Sequence, residues 1–182
     1  TNLNRVYRVN NISRRFCAGE MTVEEAQEEL KEIRTNIEYG FLHKCIGYIM
    51  TSAFFAVLFG GNWLDCVAAG VVGLVLALAV TGASRLRFND FCQNAAGSFA
   101  LAVTALLIQR LVFFSMNIDA VIISAIMPMV PGVTFTAAIR DTLNGDYSSG
   151  VARIAEAIVV ALGVASGVGA AMVVFGMMGG GL

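Results

Sequence analysis

An all-α, polytopic membrane protein is what this sequence of 182 residues predicts, with five transmembrane helices preceded by short cytosolic amphipathic helices. Three features carry the expectation. Hydrophobic residues make up 57% of the chain and charged ones only 14%, a balance more apolar than a water-soluble core of this size requires. The apolar residues gather into stretches close to the ~20 needed to cross hydrocarbon. Charge is concentrated instead in the first 44 residues, so the net charge of −1 conceals a polar head and an apolar body. Bulk charge therefore gives no reason to expect nucleic acid as a partner.

Residues 1–39 are expected as a cytosolic helical segment and residues 40–182 as a five-helix transmembrane domain. In the first segment Leu3, Val6, Val9, Ile12 and Phe16 recur at helical spacing. Thr22-Val23-Glu24-Glu25 then matches a capping box opening a second helix with an Ala26, Leu30, Ile33 stripe. Apolar segments follow at 41–60, 63–83, 92–114, 119–139 and 150–178. With five crossings, Arg5, Arg8, Arg14, Arg15, Lys31, Arg34, Lys44, Arg85, Arg87, Arg140 and Arg153 share one side and Arg110 stands alone near the other. The excess of basic residues marks the cytoplasmic side, which places the amino terminus inside and the Gly179–Leu182 tail outside. Trp63 suits an external interfacial anchor. The opening Thr1-Asn2-Leu3 has no methionine and no signal-peptide pattern follows it, so more sequence is expected upstream.

The fourth crossing is broken by Pro128-Met129-Val130-Pro131-Gly132. Each proline removes a backbone donor and clashes with the preceding turn, leaving carbonyls without partners. Such backbone survives at membrane depth only against protein or a water-filled cavity, which is where broken helices of transporters bind cargo. A half-helix starting near Val133 would aim free amides and its positive end at a carboxylate, with Thr134 and Thr136 adding hydroxyls. The candidate substrate-binding residues are Pro128, Pro131, Gly132, Thr134, Thr136 and Asn94. A kink that only shapes packing is the alternative.

The polar turn from Arg140 to Gly150 joins the last two crossings, and beyond it Arg153 and Glu156 lie one helical turn apart, placed to pair on one face. These charges either snorkel locally or form a cytoplasmic gate for an anionic substrate. Asp90, Asp141 and Glu156 are candidates for a titrating, coupling role, with Arg140 and Arg153 beside them. The third crossing carries Asp90, Gln93, Asn94, Ser98, Thr104, Gln109 and Arg110. Asn94, Ser98 and, less cleanly, Gln109 are expected to face the bundle, and Arg110 to pair with Asp119. In the fifth crossing Gly163 and Gly167 stand among small residues, allowing a close helix contact. His43 is the only histidine, and Cys17, Cys45, Cys66 and Cys92 are scattered, so no metal site, cofactor or catalytic constellation is expected. An enzyme is not the expectation.

Met127-Pro128-Met129-Val130-Pro131-Gly132, then Ala138-Ile139-Arg140-Asp141, then Gly145-Asp146-Tyr147 leading through Ser149-Gly150 and Ala152-Arg153 to Ala155-Glu156-Ala157, resembles the signature of the threonine/serine exporter family. Phe59-Gly60-Gly61, Trp63-Leu64-Asp65 and Asn117 with Asp119-Ala120-Val121-Ile122 extend the resemblance over nearly the whole chain. It implies the amino-terminal half of fused exporters, or the larger subunit of split two-component ones, without most of the upstream cytosolic region. It also implies a bacterial inner membrane location and a second, smaller membrane subunit or a homo-oligomer as partner. The cargo would be serine, threonine or a dicarboxylate such as succinate. Driving energy from an ion gradient is expected, since no nucleotide-binding motif points to ATP. Five crossings put the two ends on opposite sides, so a fused second half would be inverted, a recurring basis for alternating access. A non-transporting scaffold or regulatory subunit and an oligomeric channel are the alternatives.

Overall fold

The structure, a computed structural model, describes residues 3–35, 40–86, 88–112 and 115–178, and every regular element among them is helical. Arg87 and the tail from Gly179, both used for orientation above, lie outside the described residues. The chain forms two compact units, residues 1–40 and 41–182.

In the first unit α1 (Leu3–Cys17) and α2 (Val23–Thr35) form a hairpin that turns at Gly19, whose φ of +75° suits a residue without a side chain. Ile12, Met21 and Ile33 bury together with Ala26 beside them. Arg15 meets Glu29 at 3.0 Å and Arg8 meets Glu32 at 3.9 Å. The capping box is formed in both directions: the Thr22 amide donates to Glu25 Oε2 at 2.8 Å and the Glu25 amide to Thr22 Oγ1 at 3.3 Å. The Thr22 amide, and after it the Thr22 hydroxyl, hold the Glu25 carboxyl below its ordinary value. A depressed folded value means that this support is present above the unfolded value and is lost as pH falls through the lowered one. Thr22→Ala is expected to raise hydrogen exchange in the first turn of α2 about fivefold at neutral pH. The difference from the parent should shrink under acid, and an unchanged exchange rate at neutral pH would show the cap to be dispensable.

The second unit comprises α3 (Phe41–Leu58), α4 (Trp63–Arg85), α5 (Asp90–Leu111), α6 (Ile118–Ile126), α7 (Gly132–Leu143) and α8 (Tyr147–Met177). Four of these, α3, α4, α5 and α8, are long and apolar enough to span a membrane. The remaining span is α6, a 3-10 turn at Met127–Met129 and α7, bent by 56°. Side-chain caps set several boundaries. Asn89 accepts the Cys92 amide at 2.8 Å to open α5, and Asn117 accepts the Ala120 amide at 3.1 Å to open α6. Asp146 accepts the Ser149 amide at 3.1 Å, so α8 starts at Tyr147, three residues before the apolar run suggests.

Val72 and Leu76 of α4, Leu101 and Ala105 of α5, and Val121 and Ala125 of α6 form the centre of the core. Small residues bring the backbones together, as membrane bundles require where lipid gives no hydrophobic drive. A Cβ on Gly73 of α4 would lie 2.8 Å from the Tyr48 carbonyl of α3, and one on Gly97 of α5 would lie 3.1 Å from Leu76. Gly163 and Gly167 place α8 against Phe91, Asn94, Ala95, Ser98 and Phe99 of α5, and further on Phe175 meets Arg110. The two helices therefore run parallel. α7 turns back along the start of α8, with Gly150 against Ala138 and Thr142.

Candidate substrate site

The break in the fourth crossing follows from backbone chemistry. Pro128 falls in the 3-10 turn, where the Val130 amide still reaches the Met127 carbonyl at 3.2 Å. Pro131 brings no amide, and the Gly132 amide closes a tight turn onto the Val130 carbonyl at 2.8 Å. Regular helix resumes when the Phe135 amide bonds the Pro131 carbonyl at 2.9 Å. The half-helix thus begins at Gly132, and the Val133 and Thr134 amides have no acceptor among the described residues. They are two of the orphan donors that every helix start leaves.

The break is anchored on one side and open on the other. Met129 is buried in the core, and its Cε lies 3.4 Å from where a Cβ on Gly97 would stand. Val130, Gly132, Val133 and Phe135 are exposed on the surface of this chain, so the irregular backbone faces outward from the bundle formed here. Of the two threonines, Thr136 turns its hydroxyl inward along its own helix, donating to the Gly132 carbonyl at 2.9 Å and sharing with Val133 at 3.1 Å. Its proton is not offered to a ligand in this geometry. Half-buried Thr134 stands beside the open amides.

The charged candidates distribute differently from the expectation. Arg153 Nε meets Asp141 Oδ2 of α7 at 2.8 Å, in place of a pair with Glu156 on its own helix. The α7–α8 hairpin brings Asp141 closer than a helical turn brings Glu156, which is exposed. Arg140 is exposed on the outer side of α7. At the turn, the Ser149 hydroxyl and then its amide hold the Asp146 carboxyl below its usual range. Asp90 is exposed at the first position of α5, away from the core. Arg110 stacks over the Phe175 ring at 5.7 Å, with no ion pair to Asp119 among the described residues.

Asn94 lies against Gly163 of α8, where a Cβ on the glycine would be 3.3 Å away. Ser98 is buried at the same contact, but its hydroxyl bonds the Asn94 carbonyl of its own helix at 2.7 Å instead of bridging to a neighbour. Serine in a membrane helix commonly satisfies itself this way. The break, the Asp141–Arg153 pair and the α5–α8 contact are thus three separate places on one bundle, joined by α7 and α8.

The family described as "Putative threonine/serine exporter" matches residues 1–175 of this chain. The chain belongs to that family. A relative named "Threonine/serine exporter" from Corynebacterium glutamicum is 26% identical over 93% of this chain and 35% of its own length. One named "Probable threonine/serine exporter" from Mycobacterium tuberculosis is 22% identical over 92% of this chain and 32% of its own. The chain spans about a third of the length of the curated relatives it matches. No solved structure matches it significantly. Membership in the exporter family, with apolar helices long enough to span, makes this a multi-pass membrane protein.

One residue of the family resemblance gains a structural place that sequence reasoning did not give it. Asp65, in the first turn of α4, is buried and binds the Asn117 amide at 3.0 Å across 52 residues. The available sequence signal was local: Asn62 and Asp65 at capping-box spacing, next to an apolar run.

Proposed function

We propose that this chain is one part of a secondary exporter that moves small carboxylate-bearing metabolites out of the cell. The observation that carries the proposal is the 56° break, with two amides at the start of α7 left without acceptors in a chain of the exporter family. In hydrocarbon such donors require a partner, and a carboxylate supplies charge-assisted acceptors matched to a positive helix end. The relatives' names favour serine and threonine, and a dicarboxylate such as succinate offers the same chemical handle. Because the break faces outward from this bundle, the path closes against a further membrane segment: a second subunit, a carboxyl-terminal half or another copy. The Asp141–Arg153 pair would act as a gate on the cytoplasmic side, with the amino terminus inside, the carboxyl end outside and the bacterial inner membrane as the site.

Counterflow in liposomes with labelled serine, threonine and succinate tests this on the protein assembled with whatever completes it. Uptake driven by one of the three against its unlabelled form is the expected result. Arg153→Ala is expected to reduce it at least tenfold without loss of assembly. Absence of counterflow with all three in an assembled, folded preparation would favour a scaffold, and gradient-insensitive leakage a channel.

A further inference from the structure

Asp65 is the charged side chain that the bundle buries most completely among the described residues, at 1% exposure. Among the described residues no cation pairs with it. Its Oδ2 accepts the Asn62 amide at 2.8 Å and its Oδ1 the Asn117 amide at 3.0 Å. A carboxylate out of water without a counter-ion is costly unless donors and dipoles replace its hydration. Here both partners stand at helix starts, Asn62 ahead of α4 and Asn117 ahead of α6. One anion therefore serves the positive ends of two helices.

The surroundings leave little slack. A Cβ on Gly61 would lie 2.8 Å from the Ala56 carbonyl and 3.1 Å from Asp65 Cβ, so the loop before α4 is closed tightly over the carboxylate. Met116, just before Asn117, is buried. From this point α6 runs only 9 residues, about 14 Å, to the 3-10 turn and the break. At its other end Met129 is seated in the core near Gly97. Between these ends Val121 and Ala125 pack the broken crossing into the core, and at its start Asp65 on the Asn117 amide, with Gln109 Nε2 on the Met116 carbonyl at 3.5 Å, holds it by polar contacts.

We infer that Asp65 is a positioning residue of the broken crossing: by holding the Asn117 amide it fixes the depth and rotation of α6, and with them the place of the Pro131–Gly132 break. The part that concerns transport rests on the export reading; the part that concerns geometry does not. Asp65→Asn keeps the side-chain shape but removes the anion and turns an amide donor toward a backbone donor, so one of the two bonds is lost.

Gly132→Cys, where an added Cβ meets nothing within 4 Å, supplies a reporter at the break once Cys17, Cys45, Cys66 and Cys92 are replaced. In the full protein in liposomes, Asp65→Asn is expected to change the rate of labelling at this cysteine by a membrane-impermeant maleimide about fivefold or more. In the protein with native Gly132, the same substitution is expected to raise KM for the transported carboxylate more than it lowers kcat. Asp119→Asn, exposed in the first turn of α6, is expected to leave the labelling rate where it was. A less heat-stable Asp65→Asn protein that labels at the parent rate with unchanged KM would reduce Asp65 to a stabilising cap and overturn the inference. Should Asp65→Asn not assemble, Asn117→Pro deletes the same bond from the other partner, since the φ of −77° there already suits proline. Its companion Asn117→Ala loses only the side-chain cap. A labelling shift in the proline variant alone supports the positioning role, and equal behaviour of the two rejects it. Altered labelling in a protein that transports nothing would reject the export reading while leaving this inference standing.

Discussion

Gly167→Ala is expected to melt well below the parent protein, whereas Gly169→Ala, two residues away, is expected to melt with it or slightly above. The added methyl at position 167 would overlap Ser98 Oγ and the Ala95 carbonyl and lie 2.9 Å from the Phe99 amide. Two of these are backbone atoms, which cannot rotate aside, so the helices must separate. Overpacking of this kind costs roughly 1–3 kcal/mol in soluble cores. In a bilayer lipid covers the parted apolar surfaces, so the cost lies in the close van der Waals packing that the helices lose. At Gly169 nothing lies within 4 Å, and alanine there is the better helix former by about 0.5–1 kcal/mol. Gly163→Ala should fall between, since its nearest obstacle is the Phe91 carbonyl at 3.0 Å. Thermal unfolding in detergent, followed by gel filtration, ranks the three. Coincident curves for positions 167 and 169 would mean that α5 and α8 do not touch as described.

The double substitution Pro131→Ala and Gly132→Ala is expected to abolish export while leaving the bundle assembled. Pro131 gains an amide and loses its ring, which permits helix from the 3-10 turn directly into α7. The Val133 and Thr134 amides would then bond carbonyls one turn back and no longer be open to a ligand. Two charge-assisted hydrogen bonds, at roughly 1.5–3 kcal/mol each, correspond to at least about a hundredfold in affinity. Gly132→Ala alone retains the proline and has room for its methyl, so the bend is expected to persist in it. Substrate-dependent protection of a cysteine near the break, together with counterflow, separates binding from turnover. Full transport by the double variant would remove the break from the pathway.

The break and the capping box were legible because each depends on residues adjacent in sequence. Two prolines and a glycine within five positions kink or break a helix whatever surrounds it, and Thr22 with Glu25 closes on itself. The Gly163 and Gly167 contact was legible for a related reason, since small residues one turn apart serve little else in a membrane helix. Side-chain partners were not. Spacing placed Arg153 beside Glu156, but the hairpin supplied Asp141, a choice that only the α7–α8 turn decides. Arg110 found the face of Phe175, 65 positions on along the chain, and Ser98 turned to its own helix. Asp65 escaped notice because its decisive partner is the backbone of Asn117, and any residue except proline presents the same amide.

The length of α8 has a mechanical meaning. Gly163 is level with Phe91 and Asn94, near the start of α5, so the stretch Tyr147–Leu162 extends about 24 Å past that level. It carries the Asp141–Arg153 bridge and, packed alongside, α7. A rod so long beyond its contact with α5 would, if tilted, act as a lever with its fulcrum at the glycines. Tilting it by about 10° sweeps the far tip through about 4 Å, so a slight roll between two parallel helices becomes a stroke as wide as a carboxyl group.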